Sequence, residues 1–130
     1  MDLVRKYHFY AAHRNKAADE KCARIHGHTY QAEVTLRFDE LDNGLTMLFS
    51  EADNLMAPVF KQMDHYFLLS KDDTLCPLLQ KAGEPFVMLP FETTLENLAQ
   101  FFLTELTKKG LPVHKVKLSE TLSGYVECYA

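Results

Sequence analysis

From Leu3 to His13 the chain alternates in character, with Tyr7, Phe9, Ala11 and His13 on one face and His8 on the other, the two-residue period of a half-buried strand. A second alternating stretch places His26, His28, Tyr30, Ala32, Val34, Leu36 and Phe38 on one face and Thr29, Gln31, Glu33, Thr35 and Arg37 on the other. The run Asp39-Glu40-Leu41-Asp42-Asn43-Gly44 then reads as a turn. The period changes after it. Ala52, Leu55, Met56, Val59, Phe60 and Met63 recur at helical spacing, with Ser50 as the expected N-cap and Pro58 predicting a kink or a broken turn. Asp64-His65 and the apolar run Tyr66-Phe67-Leu68-Leu69 follow, and Ser70 to Pro90 reads as loop with at most one short strand.

A second helix is predicted from Thr93, with Leu95, Leu98, Ala99, Phe102, Leu103 and Leu106 in phase, Lys108 and Lys109 complementing its C-terminal dipole and Gly110 ending it. Val113 to Thr121 alternates again, so His114, Val116, Leu118 and Glu120 share a face. Leu122-Ser123-Gly124 reads as a tight hairpin connection into a last strand, Tyr125 to Ala130. The order strand, strand, helix, helix, strand, strand predicts an α+β domain, with a four-stranded antiparallel sheet and two helices packed on one face.

Composition narrows the field without redirecting it. With 130 residues, 47% hydrophobic and 25% charged, the chain is expected to form a single domain spanning 1–130. A net charge of -4 argues against a nucleic-acid surface. No apolar run reaches a membrane span and Met1 to Arg5 lacks the apolar stretch of a secretory signal, so a cytoplasmic protein with no membrane partner is expected. Three irregularly spaced cysteines form no disulfide framework. Cys76 and Cys128 read as small buried hydrophobes, whereas Cys22, between Lys21 and Arg24 in sequence, sits where a thiolate would be favoured.

The chemistry is concentrated in Cys22-Ala23-Arg24-Ile25-His26-Gly27-His28 together with His13. Gly27 leaves bare the side of the strand opposite the two imidazoles, and His13 supplies a third from the first strand if the two pair. Three neutral histidines with no fourth protein ligand describe a catalytic zinc site, whose open position takes water or substrate. Two other readings stand beside it: histidines satisfied by ordinary hydrogen bonds, and a closed structural site with Cys22 as fourth ligand. The polar loop Arg14 to Lys21 is expected to lie over this site.

His13, Cys22-x-x-x-His26-Gly27-His28, Asp64-His65, Thr94-x-Glu96-Asn97 and Glu120-Thr121 resemble, in order and over nearly the whole chain, the motifs of the 6-pyruvoyltetrahydropterin synthase family. The three residues between Cys22 and His26 are similar to the 6-carboxytetrahydropterin branch of queuosine (7-deazaguanine) biosynthesis. The resemblance implies the tunnelling fold, with sheets joined into barrels, and a homohexamer built as a dimer of trimers with active sites at subunit interfaces. It implies zinc on His13, His26 and His28, and Cys22 as the base. Asp64 and His65 become a proton-transfer pair, often supplied by a neighbouring subunit. Glu120 becomes the anchor of the pterin ring, with Thr94, Glu96 and Thr121 as further substrate contacts.

The implied activity is that of a lyase acting on 7,8-dihydroneopterin triphosphate, forming 6-carboxy-5,6,7,8-tetrahydropterin with loss of acetaldehyde and triphosphate. The alternatives are formation of 6-pyruvoyltetrahydropterin and a non-catalytic zinc-stabilised domain. Glu96 has a structural explanation as well, since Thr93-x-x-Glu96 matches a capping box. Glu120 lies on a different strand from all three histidines and is expected to leave the zinc undisturbed. Two positions depart from the family pattern: Leu48-Phe49 stands where Asp-Phe is common, and Thr93 where a proline usually precedes the Thr-x-Glu-Asn motif.

Overall fold

The computed structural model describes residues 1–130. Its two long strands, β1 (Asp2–His13) and β2 (His26–Arg37), pair antiparallel along their whole length. Helix α1 (Phe49–Lys61), strand β3 (Tyr66–Ser70), helix α2 (Leu75–Ala82), strand β4 (Val87–Leu89), helix α3 (Leu95–Lys108) and strands β5 (Val113–Ser119) and β6 (Val126–Tyr129) follow. The sheet order is β4-β3-β1-β2-β5-β6. Its antiparallel part, β1-β2-β5-β6, is the predicted four-stranded sheet. β3 pairs parallel with β1, and β4 parallel with β3, so the sheet is six-stranded and mixed.

The added strands and α2 come from the segment that reads as loop in the sequence. β3 buries Leu68, Leu69 and Ser70 in succession, as a parallel strand covered on both sides does, and therefore shows no alternation. α1 and α3 cover the sheet face carrying Phe9, Tyr30, Ala32, Val34, Val116 and Leu118. Phe9 stacks on Tyr30 with ring centroids 4.8 Å apart, and Phe60 of α1 meets Phe102 of α3 at 4.6 Å. Each such ring removed from water stabilises the fold by roughly 1.5–3 kcal/mol. The opposite sheet face is bare, and a depression of about 700 Å³ lies on it, lined by Lys6, His8, Tyr10, Gln31, Lys117 and Tyr125 among others.

Several expected boundaries move. α1 begins at Phe49 rather than after Ser50, with Glu51 Oε2 accepting the Leu48 N–H at 3.3 Å. The helix continues through Pro58 without a break, and Leu55 is exposed rather than in the core. α3 is capped by Thr94, whose hydroxyl accepts the Asn97 N–H at 3.2 Å, so the capping box from Thr93 to Glu96 does not form. Thr93 is fully buried instead. The β5–β6 connection is a longer loop, because the last pair is Leu118 with Val126 and Glu120 lies past the strand end. No helix is long and apolar enough to cross a membrane.

Candidate metal centre and active site

The β1–β2 register sets His13 directly opposite His26, and Ala11 opposite His28. The three imidazoles therefore meet at the open end of the core-facing side, with ring centroids 4.6 Å (His13–His26), 5.1 Å (His13–His28) and 4.8 Å (His26–His28) apart. One ligand atom from each lies within 4.8 Å of the others. Gly27 makes the close approach possible: a Cβ there would stand 3.2 Å from the Ala11 carbonyl oxygen.

Main-chain carbonyls orient the rings. His13 Nδ1 donates to Thr93 O at 2.8 Å and His26 Nδ1 to Arg24 O at 2.6 Å, while His28 donates to the main-chain carbonyl of Glu120. An occupied Nδ1 leaves the Nε2 lone pair free, the arrangement by which proteins aim imidazole at a metal. His13 is buried to 1% exposure, and that burial, opposed only in part by the Thr93 carbonyl, pushes its pKa down to about 4. Burial also lowers the pKa of His28. Neutral rings are the state in which histidine ligates.

Glu120 departs from expectation. Although it follows a different strand, its Oε2 reaches 3.6 Å from His28 Nε2 and 3.9 Å from His13 Nε2. His13 Nε2, His28 Nε2 and Glu120 Oε2 are buried without a hydrogen-bond partner, as is the Tyr30 hydroxyl, whose pKa is raised by burial and then by the Glu120 charge. An unpaired buried acceptor costs about 1–3 kcal/mol, and three that face one another are reconciled by a cation between them. The residues present fit a metal ion.

Cys22 sits in the Arg14 to Ile25 loop, its N–H donating to Asp19 Oδ1 at 2.9 Å and its carbonyl accepting from Asn15 N at 2.7 Å. Its Sγ is not one of the converging ligand atoms. The expected thiolate setting is not found. Asp19 hydrogen-bonds the thiol and pushes its pKa up, with burial and the charges of Asp19 and Glu120 acting in the same direction. Arg24 is turned away to Glu20, 2.9 Å from it.

Asp64 and His65 form a pair, His65 Nδ1 donating to Asp64 Oδ2 at 2.8 Å, while Asp64 Oδ1 accepts the Tyr10 N–H at 2.8 Å. Those contacts lower the Asp64 pKa, the Tyr10 main chain most. His65 packs edge-on against Tyr10, at 5.6 Å between centroids, and so stands on the bare sheet face, across the sheet from the imidazole cluster of the same chain. It lines a groove of about 600 Å³ with Gly27, Thr29, Glu84 and Pro85. Glu96 is exposed in the first turn of α3, Thr94 is engaged as its cap, and Thr121 is exposed, its hydroxyl 3.4 Å from that of Ser123.

Two supports have no signature in the sequence. Thr93 holds His13 through its carbonyl, and its hydroxyl donates to Asn15 Oδ1 at 3.2 Å. Arg14 and Asp73, with side chains 14% and 6% exposed, form a two-pronged ion pair that ties the residue after His13 to the start of α2.

A family model described as 6-pyruvoyl tetrahydropterin synthase matches residues 2–130. The 6-carboxy-5,6,7,8-tetrahydropterin synthase of Haemophilus influenzae is 29% identical, with 96% of each chain covered. That of Aquifex aeolicus is 33% identical over 82% of this chain and 75% of its own. The structure of the 6-pyruvoyl tetrahydropterin synthase of Plasmodium vivax superimposes with a TM-score of 0.78 at 21% identity, covering 100% of this chain and 97% of its own.

Proposed function

The chain belongs to the 6-pyruvoyl tetrahydropterin synthase family, and from that premise we propose that it is a zinc-dependent lyase converting 7,8-dihydroneopterin triphosphate to 6-carboxy-5,6,7,8-tetrahydropterin, with release of acetaldehyde and triphosphate, in the queuosine branch of cytoplasmic pterin chemistry. The observation that carries the reading is the set of three imidazoles converging with one ligand atom of each within 4.8 Å of the others, the Nδ1 atoms of His13 and His26 being spent on main-chain carbonyls. His13, His26 and His28 would hold the ion. Zinc so held supplies Lewis-acid polarisation of the substrate's side-chain hydroxyls and favours anionic forms of groups near it.

Cys22 takes the proton from the substrate side chain. That requires the Asp19 contact to be outweighed, since Asp19, with burial and the Glu120 charge, pushes the thiol pKa up. Asp64 fixes the orientation of His65, and His65 passes a proton in the later steps. The Asp64–His65 pair stands on the far side of its own sheet, so it serves a neighbouring subunit's site in an assembly of barrels, a dimer of trimers that covers the bare face. Glu120 receives the aminopyrimidine edge of the pterin, and the exposed Glu96 and Thr121 contact substrate beside it. Thr94 contributes by setting the start of α3.

The names of the relatives favour the carboxy product over 6-pyruvoyltetrahydropterin. Mass spectrometry of a reaction with zinc-loaded protein separates them, because only the carboxy branch loses two carbons as trappable acetaldehyde. No consumption of 7,8-dihydroneopterin triphosphate would refute the proposal. A folded, zinc-binding but inert protein would support the non-catalytic alternative.

A further inference from the structure

We propose that Glu120 is a fourth ligand of the metal in the pterin-free protein and gives up that position when the pterin ring claims its carboxylate. The proposal rests on the zinc reading above and goes past it, because it makes one residue the cap of the metal and the anchor of the ring in turn.

Its basis is the meeting of acceptors. Glu120 Oε2 stands 3.6 Å from His28 Nε2 and 3.9 Å from His13 Nε2, and none of the three atoms has a hydrogen-bond partner. Ligands bound tetrahedrally to zinc at about 2.0–2.1 Å are separated from one another by about 3.4 Å, so Glu120 stands within about half an ångström of sharing an ion with His28 and His13, just outside the three-histidine cluster itself. An ion pair with protonated imidazole does not account for the contact. Its 3.6 and 3.9 Å distances exceed the about 2.7–2.9 Å of a charge-assisted N–H···O bond, and the Nδ1–H of His13 is already spent on Thr93 O.

The carboxylate is also placed to leave. The last pair between β2 and β5 is Gln31 with Ser119, so Glu120 begins an unpaired loop in which Thr121 to Tyr125 are all exposed. A groove of about 310 Å³ lined by His28, Gln31, Glu120 and Thr121, among others, opens beside it. The side chain can turn into that groove without breaking a strand pair. The metal site is thus closed at rest and opens only with a ring in place, which keeps water and adventitious anions off the ion until substrate arrives.

The test measures zinc affinity, not turnover. Zinc dissociation constants are taken by competition with a chromophoric chelator for wild type, Glu120→Ala and Glu120→Gln, each checked for native circular dichroism and assembly size. Removing an outer partner of a metal ligand weakens affinity by about 10–100-fold, so loss of a direct ligand in Glu120→Ala is expected to cost at least about tenfold, with Glu120→Gln intermediate. The measurements are repeated with saturating 6-methyl-7,8-dihydropterin, which has the ring edge but no side-chain hydroxyl to offer the metal. It is expected to weaken zinc binding to wild type by the same factor and to leave the Glu120→Ala constant unchanged.

Equal zinc affinities in wild type and both variants would overturn the proposal while leaving the three-histidine site intact. Weaker zinc binding in the variants with no effect of bound pterin on wild type would overturn the exchange. Absence of zinc binding by wild type would instead overturn the functional reading on which the proposal rests.

Discussion

His65 is held at φ 64°, in the left-handed region, and the replacement of its side chain separates a backbone requirement from a chemical one. The main-chain N–H donates to Tyr10 O at 2.6 Å and so fixes the turn between α1 and β3 whatever side chain is present. The imidazole is 75% exposed and its partner Asp64 31% exposed, so solvent screens their contact and its loss weighs little on stability. The left-handed conformation costs an L-residue about 1–2 kcal/mol, and glycine nothing. Glycine returns about 0.4–1 kcal/mol of that through the greater freedom of the unfolded chain.

His65→Gly is therefore expected to match wild type within about 1 kcal/mol, and His65→Val, β-branched and intolerant of positive φ, to fall about 2 kcal/mol below the glycine variant. For a chain of this length that separation is about 6–10 °C in Tm, measured by thermal circular dichroism at equal protein and zinc concentrations. Both variants should lose turnover, because neither carries the proton that His65 is assigned. A valine variant as stable as the glycine variant would refute the backbone argument. A glycine variant with wild-type turnover would remove His65 from the chemistry.

Cys22→Ala should keep its full zinc content while losing turnover, as Cys22 Sγ stands outside the converging ligand atoms; zinc lost in step with the thiol, read by metal analysis, would make it a ligand. Gly27→Ala forces a Cβ to 3.2 Å from the Ala11 carbonyl, an overpacking that should cost about 1–3 kcal/mol in urea denaturation and weaken zinc binding by splaying His26 and His28. In zinc-free protein the His13 pKa near 4, against about 6.5 unfolded, means the unfolded chain binds more protons between those values. Stability is then fully present above pH 6.5 and falls by up to roughly 3 kcal/mol as pH drops towards 4, with His28 acting in the same direction; a urea midpoint flat across that range would contradict the burial of neutral His13.

The three histidines were readable from the sequence because they lie on strand faces. A side chain at the end of an apolar face inherits the periodicity of Phe9 and Ala11, or of Tyr30 and Ala32, and that periodicity is itself a record of burial. β3 escaped because the parallel pairing that buries Leu68, Leu69 and Ser70 in a row erases the alternation. α2 was too short, and too interrupted by Pro77, to show a period.

The polar errors have a different and shared cause. Lys21 and Arg24 predict a favoured thiolate at Cys22, yet the loop turns back so that Asp19, three residues earlier, faces the thiol and reverses the sign of the shift. The Thr93-x-x-Glu96 spacing predicts a cap at Thr93, yet Thr93 is buried with its carbonyl accepting from His13, eighty positions away, and capping passes one residue on to Thr94. The alternation of β5 places Glu120 on a strand apart from the histidines, yet it lies just beyond the strand end, where its carboxylate reaches the rings of His28 and His13. Apolar side chains are sorted by which face they occupy, which a count along the chain preserves. Polar side chains are sorted by the one partner they meet, and at a site assembled from β1, β2, the α3 cap and the loop after β5 the partners of His13, Thr93 and Glu120 lie on other segments.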